Sequence, residues 1–222
     1  MVNAGEAIKA TIERMRLMAE DPAYQARVAE LNRETAEQQA VRQETERRLW
    51  LATSGVPRST WDLLDKPNMT SAIQACVDFL ARPACLFLAL AGPRGRGKTS
   101  AAAWACYQRR GRFLDAHDLV RAGTFDRGLW DDLGRTPLLV IDELGSEYAN
   151  DSFRADLFGV LNKRQGDLRK TVIVTNLDAA GFRARYTSGP MDRLEDRLRA
   201  YGEWVALPGE SMRQHWAEGT EA

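Results

Sequence analysis

No apolar run in this chain approaches the ~20 residues that a membrane span requires, so the sequence offers no transmembrane segment. The Met1 end lacks the basic-then-apolar pattern of a secretory leader, which makes the cytoplasm the expected compartment. Cysteine is scarce. Cys76, Cys85 and Cys106 are the only three, without C-x-x-C spacing and without companion histidines. That excludes a disulfide framework as the organising element and gives no zinc site, and unpaired thiols suit a reducing compartment. Cys85 and Cys106 read as small core residues. An excess of one charge is also missing, because 31 Lys and Arg balance 31 Asp and Glu. No global field therefore draws the chain toward nucleic acid, although that balance is compatible with a local groove. Glycine is absent between Glu6 and Ser54, where a single proline stands. At 222 residues the chain suits one domain plus an appendage and can bury a sizeable core.

What is present begins with Gly92-Pro93-Arg94-Gly95-Arg96-Gly97-Lys98-Thr99. This is G-x-x-x-x-G-K-T, lying between the apolar run Cys85-Leu86-Phe87-Leu88-Ala89-Leu90 and an alanine-rich helix that opens at Ser100. Strand, glycine loop and helix in that order form a phosphate cradle. Glycines let backbone N–H groups curl around an anion, and the helix N-terminus adds its positive dipole end. The spacing predicts nucleoside triphosphate binding over Gly92 to Ser100, with Lys98 on the outer phosphates and the Thr99 hydroxyl as a Mg²⁺ ligand.

Leu138-Leu139-Val140-Ile141 ends in Asp142-Glu143. An unbroken apolar run reads as a strand buried on both faces of a parallel sheet. Acids often end strands simply because the chain returns to solvent. Downstream of a phosphate loop, however, Asp142 sits where a Walker B carboxylate holds Mg²⁺. Glu143 can then polarise a water for attack, as a general base does, which implies hydrolysis rather than transfer to a metabolite. A third strand, Thr171-Val172-Ile173-Val174-Thr175, ends at Asn176. Asn176 either forms a turn or orients the attacking water and senses the γ-phosphate. Asp192-Arg193-Leu194-Glu195-Asp196-Arg197-Leu198-Arg199 spaces arginines three to four apart on a helix. That pattern fits a salt-bridged solvated face or an arginine offered to a neighbour's triphosphate.

From residue 54 to 216 these pieces resemble the DnaC/IstB-like branch of the AAA+ ATPases, the bacterial and phage replicative-helicase loaders. Gly55-Val56-Pro57-Arg58 enters the domain, and the Asp-Glu-Leu-Gly ending of residues 138–145, the sensor-like residues 172–177 and the arginine-rich residues 191–199 follow in the family's order. Glu210-Ser211-Met212-Arg213 is similar to the closing segment. The resemblance implies a P-loop NTPase of the AAA+ (ASCE) type, an α/β fold with a parallel doubly wound sheet. Its trans-acting arginine finger falls on Arg197, with Arg193 the fallback, and its sensor 2 arginine on Arg213. It also implies ATP and Mg²⁺ as cofactors, self-assembly into a ring or spiral, single-stranded DNA, and a hexameric replicative helicase as partner. Only 46 residues follow Asn176, too few for a complete helical lid domain, and loaders of this branch also lack that lid. Two other readings stay open: an IstB-like ATPase helper of DNA transposition, and, more distantly, a P-loop kinase of small metabolites. Asp142-Glu143 and Asn176 speak against the kinase.

Residues 1–53 form a separate N-terminal helical segment ahead of the ATPase domain at 54–222. Residues 7–20 read as one helix with Ile8, Ile12, Met15 and Leu17-Met18 on an apolar side. Asp21-Pro22 caps and restarts a second helix over 23–53, almost wholly polar across 34–48. A helix polar all round stands in solvent or waits for a partner. The resemblance makes it the helicase grip, with Ile8, Ile12 and Met15 as contacts. Further helices are expected at 71–81, 117–133 (interrupted at Gly123 and Gly128) and 152–166, and strands at 112–116 and 203–207. The resemblance sets the 71–81 helix against the sheet edge. Strands alternating with helices predict a doubly wound parallel sheet. For single-stranded DNA, the aromatic–arginine mixtures at 125–130 and 147–154 are candidates, with Tyr148 and Arg154 as the named contacts.

Overall fold

The computed structural model describes residues 9, 12–13, 15–16, 18–123, 126–148, 151–186 and 192–209. The chain divides into two compact units, Met1–Ala52 and Thr53–Ala222.

In the first unit, helix α1 (Pro22–Ser54) begins where Asp21 Oδ1 accepts the Ala23 N–H at 2.9 Å. Proline occupies the first helical position, where its missing N–H costs nothing. The middle of α1 is held by its own side chains. Arg42 pairs with Glu46 at 2.9 Å and Arg48 with Glu44 at 2.7 Å, each pair one turn apart on the surface. Ile12, Met15 and Met18 are exposed, as are Tyr24, Val28 and Leu31 of α1. Ile8 and Leu17 lie outside the described residues.

The second unit is built on a five-stranded, all-parallel sheet: β1 (Phe87–Ala91), β2 (Arg112–Asp115), β3 (Leu138–Asp142), β4 (Lys170–Thr175) and β5 (Gly202–Ala206), in the order β2-β3-β4-β1-β5. The three inner strands are the continuous apolar runs, because helices cover both faces of the sheet. Around them lie α2 (Ser71–Ala81), α3 (Lys98–Gln108), α4 (Ala116–Gly123), α5 (Arg127–Arg135), α6 (Asp151–Gly166), α7 (Ala179–Tyr186) and α8 (Asp192–Tyr201). Strand alternation decides which residues meet which layer. Phe87, Leu139, Ile141 and Ile173 join Leu119, Leu133, Leu157 and Leu161 in one buried cluster. The alternate residues, ending in Asp142 and Asn176, turn to the opposite face, where α3 packs on β3 and β4.

Three expectations are corrected by the structure. The helical stretch after β2 does break at Gly123 as expected, but Gly128 lies inside the next helix, which Asp126 caps by accepting the Leu129 N–H. Helix α2 packs on α3 and on β1, an inner strand, rather than on the sheet edge. Cys76 and Cys106 are buried, but Cys85 is only half-buried at the rim. Burial pushes the Cys76 and Cys106 thiols up to about 12, so both behave as small hydrophobes.

A fully buried Arg164 ties three elements together by donating to carbonyl and hydroxyl oxygens. Its guanidinium donates to Leu133 O (2.6 Å) and Thr136 O (2.9 Å) at the end of α5, and to Thr171 Oγ1 (3.0 Å) in β4. Those carbonyls are orphans of a helix C-terminus, and their dipoles favour a cation there. Lys170 does the same for α2, donating to Phe79 O (2.9 Å), Arg82 O and Cys85 O (2.6 Å each).

Candidate active site

At the C-terminal ends of β1, β3 and β4 lies a cavity of about 740 Å³, lined by residues 94–100 of the glycine loop with Asp142, Glu143, Val174 and Asn176. In an open parallel sheet ligands bind at this end, and the volume suits a nucleotide-sized ligand. Leaving β1, the chain turns at Gly92 with φ 140°. A Cβ there would lie 2.5 Å from the Leu207 carbonyl oxygen, so only glycine lets the loop pass this close to the segment after β5.

Lys98 opens α3 and is buried. Its ammonium donates to Gly92 O (2.7 Å), Pro93 O (2.8 Å) and Asn176 Oδ1 (3.1 Å). Burial lowers its pKa from the usual lysine value, while Asp142 and Glu143 pull the other way. Asp142 at the tip of β3 is buried. Its carboxylate accepts the Glu143 N–H at 2.9 Å, and the Thr99 hydroxyl stands beside it. Burial dominates and raises its pKa to about 6, against the opposing pull of Thr99 and the Glu143 N–H. A hydroxyl beside a buried carboxylate at the mouth of a phosphate loop is an all-oxygen pair that fits a hard divalent cation. Thr99 and Asp142 are therefore the residues that could hold Mg²⁺.

Glu143 occupies the left-handed region at φ 55°, a conformation costly for a residue with a Cβ and often stored at functional sites. Its carbonyl accepts from Ser146 Oγ at 2.7 Å and from the Ser146 N–H at 3.1 Å, while the Leu144 N–H is held by Val174 O at 2.9 Å. The turn aims Glu143 into the cavity. Two residues that sequence reasoning passed over stand beside it. Asp115 pairs in register with Asp142, and the ligand-type atoms of Asp115, His117 and Glu143 all lie within 4.8 Å of one another. Only the strand order, which sets β2 beside β3, brings them there.

The remaining candidates are spread out. Arg197 on α8 is half-buried and does not line the cavity. Its guanidinium sits 4.7 Å over the Phe158 ring, and its Nη1 is buried without a hydrogen-bond partner. The Arg193 side chain, Phe125 and Arg213 lie outside the described residues. Tyr148 is 95% exposed. Arg154 instead packs back onto the protein and pairs with Asp151 at 3.6 Å. The other aromatics of those two stretches, Trp130 and Phe153, are core residues with ring centroids 5.9 Å apart.

Among the described residues no helix is long and apolar enough to cross a membrane. The fold resembles that of DnaI (22% identical, TM-score 0.56, covering 71% of this chain and 94% of that one). It also resembles the DnaC helicase loader (21% identical, TM-score 0.52, covering 68% of this chain and all of that one). In sequence, the chain is 32% identical over 141 residues to a Sinorhizobium fredii protein, y4pL, described as an insertion-sequence ATP-binding protein. That match covers 58% of this chain and 57% of its relative. The family model of the IstB-like ATP-binding proteins matches residues 67–218, from the approach to α2 to beyond β5. With a phosphate loop, a buried acid at the tip of β3 and a polar residue at the tip of β4 arranged on one face, this chain belongs to the family of IstB-like ATP-binding proteins.

Proposed function

We propose that this ATPase loads a hexameric replicative helicase onto single-stranded DNA. ATP lies along residues 92–100, with Lys98 on the outer phosphates. Mg²⁺, held by Thr99 and Asp142, neutralises phosphate charge when bound. Glu143 accepts a proton from the attacking water, and Asn176, tied to Lys98, orients that water against the γ-phosphate. Arg197 acts on the nucleotide of a neighbouring subunit, where an arginine is worth orders of magnitude in rate. Hydrolysis then depends on assembly into a ring or spiral.

The observation that carries the loader reading is the N-terminal unit. Tyr24, Val28 and Leu31 recur four and three residues apart on α1, and Ile12 and Met15 precede them, all exposed. Apolar residues at that spacing form the anchor pattern of a helix that docks into a partner's groove. Tyr148 supplies an exposed ring on which a base can stack. Helicase transfer onto circular single-stranded DNA, measured with the purified chain, should require ATP and fail with Lys98→Ala.

A second reading has its own support in the S. fredii relative. There the same ATPase would serve a transposase on duplex DNA. Recovery of a transposase in place of a helicase would favour it.

A further inference from the structure

Glu147 is a carboxylate with no exposed side-chain surface, four residues beyond the proposed base and outside the cavity. Burying a charge costs heavily unless it is paired and hydrogen-bonded, so its partners show what it holds. One oxygen, Oε2, accepts the Gly145 N–H at 2.6 Å. The other, Oε1, accepts the Tyr186 hydroxyl at 2.6 Å and lies 3.6 Å from Arg185 Nε. Arg185 Nη2 also donates to the Glu147 carbonyl. Tyr186 and Arg185 end α7, the helix that follows Asn176 by a short turn.

The turn between Glu143 and Glu147 needs such an anchor. Glu143 stands at φ 55° and Gly145 at φ 107°, and a Cβ on Gly145 would come within 2.6 Å of Leu177 Cδ1. The Leu144 and Ser146 N–H groups find backbone carbonyls, but the Gly145 N–H is met by a side chain, that of Glu147. We propose that Glu147, with Tyr186 and Arg185, is a positioning residue for hydrolysis. It fixes the left-handed turn that aims Glu143 and locks it to α7, so the base and Asn176 are held as one piece. A catalytic group displaced by about 1 Å can lose on the order of 10²-fold in rate, so the rate depends on this network although no member touches nucleotide.

The inference rests on Glu143 being the base, and the test separates the two. Phosphate release at saturating Mg·ATP and the Kd of a non-hydrolysable ATP analogue are measured on full-length variants. Glu147→Ala should lower kcat at least about tenfold and leave Kd within about threefold of the parent. Glu147→Gln should recover most of the rate. Its amide oxygen still accepts from Gly145, and its NH₂ can donate to the Tyr186 hydroxyl, which then accepts. Tyr186→Phe, nearly isosteric and least disturbing to folding, should fall between. Parental kcat in both Glu147→Ala and Tyr186→Phe would overturn the proposal, as would parallel losses of kcat and nucleotide affinity in Tyr186→Phe. Undiminished turnover by Glu143→Gln would remove the base itself, and the positioning role with it.

Discussion

Lys98 Nζ reaches across the mouth of the site and donates to Asn176 Oδ1 at 3.1 Å. The first residue of α3 is thereby joined to the residue at the tip of β4, 78 positions later in the chain. One hydrogen bond connects the group expected to hold the phosphates with the group expected to sense them.

Replacing Asn176 with alanine removes that acceptor while leaving Lys98 its two loop carbonyls. ATP affinity should change by no more than about threefold, whereas kcat should fall about 10²-fold, the range typical of a lost orienting group. Equilibrium binding and phosphate release measure the two separately. Equal losses in both would make Asn176 a binding residue only.

Asp142→Asn should stabilise the fold while abolishing turnover. Burial holds the Asp142 proton more tightly in the folded chain, with a pKa of about 6 against 3.8 unperturbed. Ionised Asp142 therefore burdens the native state, and the burden appears as pH rises through about 6. Without Mg²⁺ or nucleotide, the asparagine variant should gain about 1–3 kcal/mol at neutral pH. That gain should shrink as pH falls toward the ordinary carboxylate value. Thermal denaturation at several pH values checks it.

Arg197→Ala should bind ATP and fail to hydrolyse it, with a loss of about 10³-fold or more. Mixed with Lys98→Ala protein, it should regain part of the activity, since each variant supplies what the other lacks. No rescue in assemblies shown to contain both chains would exclude a trans role for Arg197.

Arg164→Met should cost about 3–5 kcal/mol, because the carbonyls of Leu133, Thr136 and Lys170 lose their buried donor. Arg164→Lys should not rescue it, since one ammonium cannot span the positions a planar guanidinium reaches. Urea denaturation measures both.

Most of the fold was legible in the chain because its strands are unbroken apolar runs and its caps are local. Thr70, Asp21 and Pro22 act within a few residues of where they stand. The glycine loop and Asp142-Glu143 were legible for the same reason. Other features were hidden because non-neighbouring segments create them. Asp115 and His117 reach Glu143 only through the pairing of β2 with β3. Arg164 and Glu147 look like ordinary surface charges in sequence, and become buried only when α5 and α7 close over them. Two helices end where the sequence indicates, at Gln108 and Gly166, but on a backbone conformation that their residue types do not signal. Arg110 (φ 49°) and Leu168 (φ 53°) take the left-handed position after α3 and α6, where glycine is the usual signal. The DNA candidates show the limit of composition: Tyr148 is exposed, yet Trp130 and Phe153 from the same mixtures are core.

The most direct measurement is mass-spectrometric identification of the proteins retained from source cells, with ATP present, by the full-length chain tagged at its C-terminus. The loader account predicts the hexameric replicative helicase, lost when Ile12 and Met15 are both changed to glutamate while ATPase activity is kept. Recovery of a transposase, or of no helicase at all, would contradict it.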